Sequence, residues 1–247
     1  MKVCVYGLGH LGTITKEGLE SIGHEVLGVD RLGEADLLWI TFDTPVDEND
    51  QATVDFVLVK MFEVLPYVEE YQFVLVSSQL PVGSIHKLET IYPLLTFACV
   101  PENLRRDTAL ENFLHPDRIV VGVRQEADRG KFLELLSSIT HHIEWMSIES
   151  AEMTKHAINA WMAMSICFAN EIAAICEKVD ADPKEVERGM RTEERIGAKA
   201  YIRPGGPYEG RTLARDIEYL KAFGCETPLL ESIQESNNLH KKRLAKI

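Results

Sequence analysis

From Glu149 to Val179 the chain runs for 31 residues without a glycine or proline, ESAEMTKHAINAWMAMSICFANEIAAICEKV. Between Ala157 and Cys176 its only charged residue is Glu171. An uninterrupted run of this length, opened by Ser150, reads as a single capped helix. A helix that is apolar on nearly every face is either buried in a core or spans a bilayer. Asn159, Asn170 and Glu171 would be costly in lipid, and the sequence offers no second span, so a buried helix without a membrane is expected. At ~1.5 Å per residue it is roughly 45 Å long, more than one small domain needs. It is therefore expected to pack against both halves of the chain and against a second copy, giving a homodimer built through residues 149–179.

Near the start of this helix, Lys155 and Asn159 stand at i and i+4 on one face. An ammonium and a carboxamide so placed can hold a substrate hydroxyl between them, and a desolvated Lys has its pKa lowered toward proton transfer. The same spacing also suits an exposed Lys with an Asn serving only packing. The rest of the chain has to decide between the two.

The first residues carry the second constraint. KVCVY (Lys2 to Tyr6) is a β-branched run followed at once by GLGHLG, Gly7 to Gly12, and then by a helical stretch from Thr13 to Ile22. G-x-G-x-x-G between a strand and a helix is the setting of a dinucleotide fingerprint. Gly7 permits the tight turn, Gly9 lets backbone approach a pyrophosphate, and Gly12 lets helix and strand pack closely. The helix start, with His10 and Leu11, turns unpaired N–H groups toward the phosphates. HEVLGVD (His24 to Asp30) supplies a second strand ending in Asp30, placed to accept from the adenosine ribose hydroxyls, while Arg31 could instead serve a 2′-phosphate. NAD is the expected cofactor.

Only RLGEAD (Arg31 to Asp36) separates that strand from the next, LLWITFDTP (Leu37 to Pro45). A crossover between parallel strands normally needs a dozen residues or more. Either the chain crosses the sheet edge extended or the second strand is short, and in both cases the wall beside the adenine is trimmed. Strand and helix then alternate: helix Thr53 to Leu65, strand Gln72 to Ser77, a helix after Pro81, strands Leu94 to Val100 and Arg118 to Val123, helix Glu126 to Ser138 and strand His142 to Ser147. His141, His142 and Glu144 fit strand alternation without a metal. After the long helix come a short helix (Pro183 to Arg191), a Gly/Pro-rich loop (Gly197 to Gly210) and helices at Thr212 to Phe223 and Pro228 to Lys246. The expected fold class is α/β: an N-terminal Rossmann-like doubly wound sheet, truncated after its second strand, over residues 1–147, then an all-helical domain over 148–247.

A net charge of −13 offers no basic surface for nucleic acid or anionic membrane. Five cysteines form no C-x-x-C and sit mostly in apolar runs, as expected of a reduced, cytoplasmic protein without a signal peptide.

These pieces together resemble the UDP-glucose/GDP-mannose dehydrogenase family over nearly the whole chain. The likeness rests on GLGHLG, Thr44-Pro45, SSQLPVGS (Ser77 to Ser84), PENLRRDTALENFLHPDRIVVG (Pro101 to Gly122), AEMTKHAINA (Ala151 to Ala160), NEIAAICEKVDAD (Asn170 to Asp182), RIGAKAYIRPG and RTLARD. The resemblance implies oxidation of a sugar-nucleotide primary alcohol to a carboxylate with two NAD. It also implies a Rossmann domain, a dimerising helical central domain and a second Rossmann-like domain for the nucleotide. Lys155, Asn159 and Asp216 match the family's catalytic Lys, Asn and Asp, and Glu102 matches a Glu that helps the hydrolytic step. The cofactor set implied is Gly7, Gly9, His10, Leu11, Gly12, Asp30, Arg31, Thr44, Pro45 and Ser78. The substrate set is Gln79, Arg106, Arg195, Tyr208, Arg211 and Thr212, with Arg195 matching an Arg that reaches a neighbouring subunit's site.

The departures are equally informative. Where the family reads G-G-S-C-F-P-K-D, this chain reads EGRTLARD, placing Thr212 at the nucleophilic cysteine and Arg211 at the preceding serine. Gln79 replaces a usual Thr and Arg106 a second Glu, and beyond NNLHKK the family would continue into its third domain. A thiol with pKa near ~8.5 can be activated and can leave; a Thr hydroxyl does neither easily without a dedicated base. The expected activity is one two-electron alcohol/carbonyl step on a small-molecule substrate. In that step Lys155 is the base, Asn159 orients the oxygen and Asp216 sets the charge of Lys155. A lapsed enzyme that only binds nucleotide or a partner is the alternative.

Overall fold

The computed structural model describes residues 1–46, 53–69, 72–102, 104, 108–209 and 211–246, the side chain of Arg211 excepted. Seven short apolar runs form strands: β1 (Lys2–Tyr6), β2 (Glu25–Leu27), β3 (Leu37–Ile40), β4 (Phe73–Val76), β5 (Thr96–Cys99), β6 (Ile119–Val123) and β7 (Ile143–Met146). They line up as β2-β1-β3-β4-β5-β6-β7. Neighbours run parallel except at β5 and β6, which are antiparallel.

The strands are apolar on both faces because both faces are covered. Cys4, Leu38, Ile40, Val74, Val76, Phe97 and Val120 point to one side, where α2 (Val54–Val64) and α3 (Ser84–Ile91) bring Val57, Met61, Ile85 and Leu88. Val3, Val5, Leu37, Trp39, Leu75, Ala98 and Val121 point to the other. There α1 (His10–Ser21), α4 (Ala109–Leu114) and α5 (Arg129–Leu136) contribute Leu19, Phe113, Phe132 and Leu135. The fold is a doubly wound α/β sheet followed by helices. Helix α4 is absent from the sequence reading; six residues with only Ala109 and Phe113 buried carry too little periodicity to register.

The short β2–β3 link is resolved by geometry. Strand β2 has three residues and stops level with Cys4, while β3 begins level with Val3. The return along the strand axis is therefore only about one residue, roughly 3.3 Å. Crossing over β1 takes two strand spacings, roughly 10 Å. The link does this not as an extended stretch but in two 3₁₀ turns within Val29–Glu34, broken by a kink at Arg31 (φ −114°, ψ 22°).

The long helix α6 spans Ile148–Cys176. It starts earlier than expected, because its cap is Ser147 rather than Ser150: the Ser150 N–H donates to Ser147 Oγ at 3.2 Å. A serine oxygen three residues ahead is the better-placed acceptor for an N3 donor. Two compact units divide at Lys155/His156, inside this helix. In the first unit Ile148 and Ala151 join the sheet core. In the second, Ala160, Ala163 and Cys167 pack with Tyr208, Ala214, Ile217 and Ile233.

The second unit also contains α7 (Pro183–Arg191), α8 (Arg211–Lys221) and α9 (Pro228–Leu244). Proline opens α7 and α9, where its missing N–H is no loss. The polar residues of α6 anchor its surroundings. Asn170 receives the Gly205 N–H at 2.9 Å and donates to Gly206 O at 3.1 Å, while Glu171 receives the Ser236 hydroxyl. Arg191 donates to the carbonyls of Ala198 and Ala200, so the Gly/Pro-rich loop is held at several points.

Candidate active site

The chain leaves β1 through Gly7, at φ +111°, a conformation L side chains rarely adopt. A Cβ there would also lie 2.7 Å from the Phe42 nitrogen. Thr41 Oγ1 braces the turn by donating to Gly7 O at 3.0 Å, and a Cβ on Gly12 would come within 2.0 Å of that same carbonyl. The first turn of α1 thus starts tight against the sheet edge, with Leu11 buried beneath it. The His10 N–H at the head of α1 donates to Asp43 Oδ2 at 2.9 Å, and a Cβ on Gly9 would lie 2.4 Å from that oxygen.

Other expected residues stand at the same carboxyl edge, past the ends of β3, β4 and β5. Thr44 is buried and donates its hydroxyl to the carbonyl of Gln79, while Pro45 is exposed. Ser78 Oγ is buried with no hydrogen-bond partner among the described residues, and so is Glu102 Oε1. Burial pushes the Glu102 carboxyl up to about 7; the Lys155 ammonium opposes that rise and the charge of Asp43 adds to it. Asp30 lies in the 3₁₀ turn beyond β2, exposed, its Oδ1 folded over Gly28. Arg31 is held by Glu34 at 2.6 Å and Glu25 at 3.1 Å, which directs its guanidinium to local carboxylates.

In the first turns of α6, Glu152 is buried and receives the Gly83 N–H at 2.6 Å and the Ile85 N–H at 3.2 Å. It caps α3, whose own N-cap, Gly83, has no side chain to do so. Lys155 follows, half-buried.

In the second unit Asn159 is buried and donates its carboxamide N–H to Asp216 Oδ2. Asp216 is fully buried; its other oxygen receives Arg215 Nε at 2.9 Å and lies 3.5 Å from His156 Nδ1. Burial alone would raise the Asp216 pKa, but the His156 hydrogen bond and the Arg215 charge together take it below its ordinary value of 3.8. Tyr219 meets the His156 ring edge-on, with centroids 5.2 Å apart. Thr212 lies exposed in the first turn of α8, four residues before Asp216. Tyr208 is buried, its main chain tied to Asn237 through 3.0 and 3.2 Å hydrogen bonds. Arg195 is exposed and bonds Glu193 at 2.8 Å. Arg106 and the Arg211 side chain lie outside the described residues.

The sequence holds no sign of Asp43, Glu152 or His156, and Arg215, open there to an anionic substrate, instead bonds buried Asp216. Each of the first three acts through a partner far along the chain or beside a residue already chosen, so spacing alone does not reveal it.

Residues 31–143 match the NAD-binding domain of the UDP-glucose/GDP-mannose dehydrogenase family, and residues 149–239 match its central domain. The chain belongs to the UDP-glucose/GDP-mannose dehydrogenase family. It is similar to the UDP-glucose 6-dehydrogenase YwqF of Bacillus subtilis, 28% identical over 291 residues, covering 96% of this chain and 66% of that protein. It thus spans about two thirds of that relative's length. A UDP-glucose dehydrogenase from Pyrobaculum islandicum superposes with a TM-score of 0.87 at 21% identity, covering 96% of this chain and 68% of the other. The Mycobacterium tuberculosis 3-hydroxyisobutyrate dehydrogenase shares the fold at 14% identity, with a TM-score of 0.77 over 99% of this chain and 94% of its own.

Most of the first unit, residues 31–143, matches the family's NAD-binding domain. Its frame fits the cofactor. The glycine turn lies at the carboxyl edge of the parallel strands β1 to β5, and Ser78 Oγ, after β4, is a buried hydroxyl at that edge with no partner among the described residues. The engagement of Arg31 by Glu25 and Glu34 agrees with NAD rather than a 2′-phosphorylated dinucleotide.

Proposed function

We propose that this chain is an NAD-dependent oxidoreductase performing one two-electron step between an alcohol and an aldehyde or ketone, on a sugar-nucleotide-like or smaller polar substrate. The observation that carries this reading is the paired carboxamide–carboxylate of Asn159 and Asp216, one helical turn beyond Lys155, with Thr212 and not a thiol at the head of α8. Cys225 lies past the far end of that helix. Donation of Asn159 Nδ2 to Asp216 fixes the orientation of the amide, leaving Oδ1 to accept from a substrate hydroxyl. Lys155 takes that hydroxyl's proton, and Glu102, with a pKa raised to about 7 and coupled to the Lys155 charge, passes it onward. NAD, when bound, supplies the hydride acceptor. The expected role of Asp216 shifts accordingly, from setting the charge of Lys155 to holding Asn159.

Without a thiol no covalent aldehyde adduct forms, and turnover ends after one hydride. An exposed apolar stripe on α6, described below, supports a homodimer, and Arg195 is exposed enough to serve the partner's site. Five unpaired cysteines suit a reducing cytoplasm. A second reading, nucleotide binding without turnover, is favoured by the shortened β2–β3 link, which trims the adenine side. The test is stoichiometry: one NADH per substrate, with the carbonyl product trapped by a carbonyl reagent. Lys155→Ala should lose ~10²–10⁴ in rate, and Thr212→Ala should change little. Two NADH per substrate with a carboxylate product would overturn the single step. NAD binding without turnover across a panel of nucleotide sugars and hydroxy acids would favour the second reading.

A further inference from the structure

The dinucleotide fingerprint is built to receive an anion. It needs a turn at Gly7, bare backbone at Gly9 and free N–H groups at the head of α1. The turn and the bare backbone are present, but the His10 N–H at the head of α1 is already engaged by an anion of the chain's own. Asp43 Oδ2 accepts the His10 N–H at 2.9 Å, and it stands 2.4 Å from where a Cβ on Gly9 would be. The bare backbone that would admit a phosphate oxygen is covered by a carboxylate oxygen. Both flanks of Asp43 are tied down: Thr41 donates to Gly7 O and Thr44 to Gln79 O. Asp43 itself is exposed, so its side chain can swing into solvent while the backbone stays in place.

We propose that Asp43 is an internal competitor for the dinucleotide pyrophosphate and thereby a determinant of cofactor affinity. A carboxylate and a phosphate cannot share one N–H donor, and two anions a few ångströms apart repel. Each binding event therefore exchanges one anion for another at the head of α1. The proposal rests on the NAD-binding assignment of the fold and not on turnover.

Calorimetry on the whole chain tests it with NAD, ADP-ribose and adenosine, comparing the parent with Asp43→Gly and Asp43→Asn. Far-UV circular dichroism and a thermal melt confirm that each variant is folded. ADP-ribose and NAD should bind about tenfold more tightly to Asp43→Gly, and less markedly so to Asp43→Asn, which keeps the volume but not the charge. Adenosine, which has no phosphate, should bind all three alike. Three results would each overturn the proposal: ADP-ribose bound no more tightly by Asp43→Gly, adenosine gaining as much as ADP-ribose, or ADP-ribose bound by none of the three. Tightening without any dehydrogenase activity would leave Asp43 in this role and remove only the proposed reaction.

Discussion

Asn159 donates to a carboxylate, Asp216, that is wholly removed from water and shared with Arg215 and His156. Such a cluster holds only while it is complete. Asp216→Ala strands a buried guanidinium and should cost about 3–5 kcal/mol in urea unfolding, whereas Asp216→Asn, which keeps the shape, should cost about 1.5–3. The native pKa lies below the ordinary 3.8, so the stabilisation is complete above that value and is lost as pH falls through the native one. The acid limb of the stability profile should therefore be shallower in Asp216→Asn. A loss below about 1 kcal/mol in Asp216→Ala would show that the cluster contributes little.

Glu102 works in the opposite sense. Its native pKa is about 7 against an ordinary 4.5, so above pH 4.5 the unfolded chain releases a proton the native chain keeps. Its contribution is complete below 4.5 and lost as pH rises to about 7. Glu102→Gln should flatten that segment of the stability profile. An unchanged slope between these values would mean that another group is responsible.

Trp161, Phe168 and Ile175 are 65%, 48% and 58% exposed, and their spacing of seven places them in one stripe along α6. An obligate interface on this stripe would bury ~2,000 Å² or more. Light scattering at micromolar concentration should give a dimer, and Trp161→Glu with Phe168→Glu should give a monomer of unchanged helicity. A monomeric parent chain would count against the interface.

The doubly wound sheet was legible because strands buried on both faces are apolar throughout, and GLGHLG lies between β1 and α1 where the motif requires it. The length of α6 was legible from the absence of Gly and Pro. Its cap was not, because two serines three residues apart both qualify and only coordinates separate Ser147 from Ser150. The proposed catalytic set rests largely on resemblance, since Lys155 and Asn159 at i and i+4 fit a bland helix surface equally well. Asp43 was hidden for a topological reason: it meets α1 only because β3 lies beside β1. His156 was overlooked as a neighbour of Lys155, and its partner Asp216 lies two helices further along the chain.

The 3₁₀ link between β2 and β3 also bears on how the chain folds. Replacing a crossover helix with six residues brings the pairings of β1 with both neighbours within the first forty residues. Halving a loop lowers its closure cost by only about 0.6 kcal/mol, but the gain falls on contacts that must form before the rest of the sheet can add to them. Lower contact order at this edge favours early, local assembly. The short link between β2 and β3 thus marks the region best able to nucleate the sheet as the chain emerges.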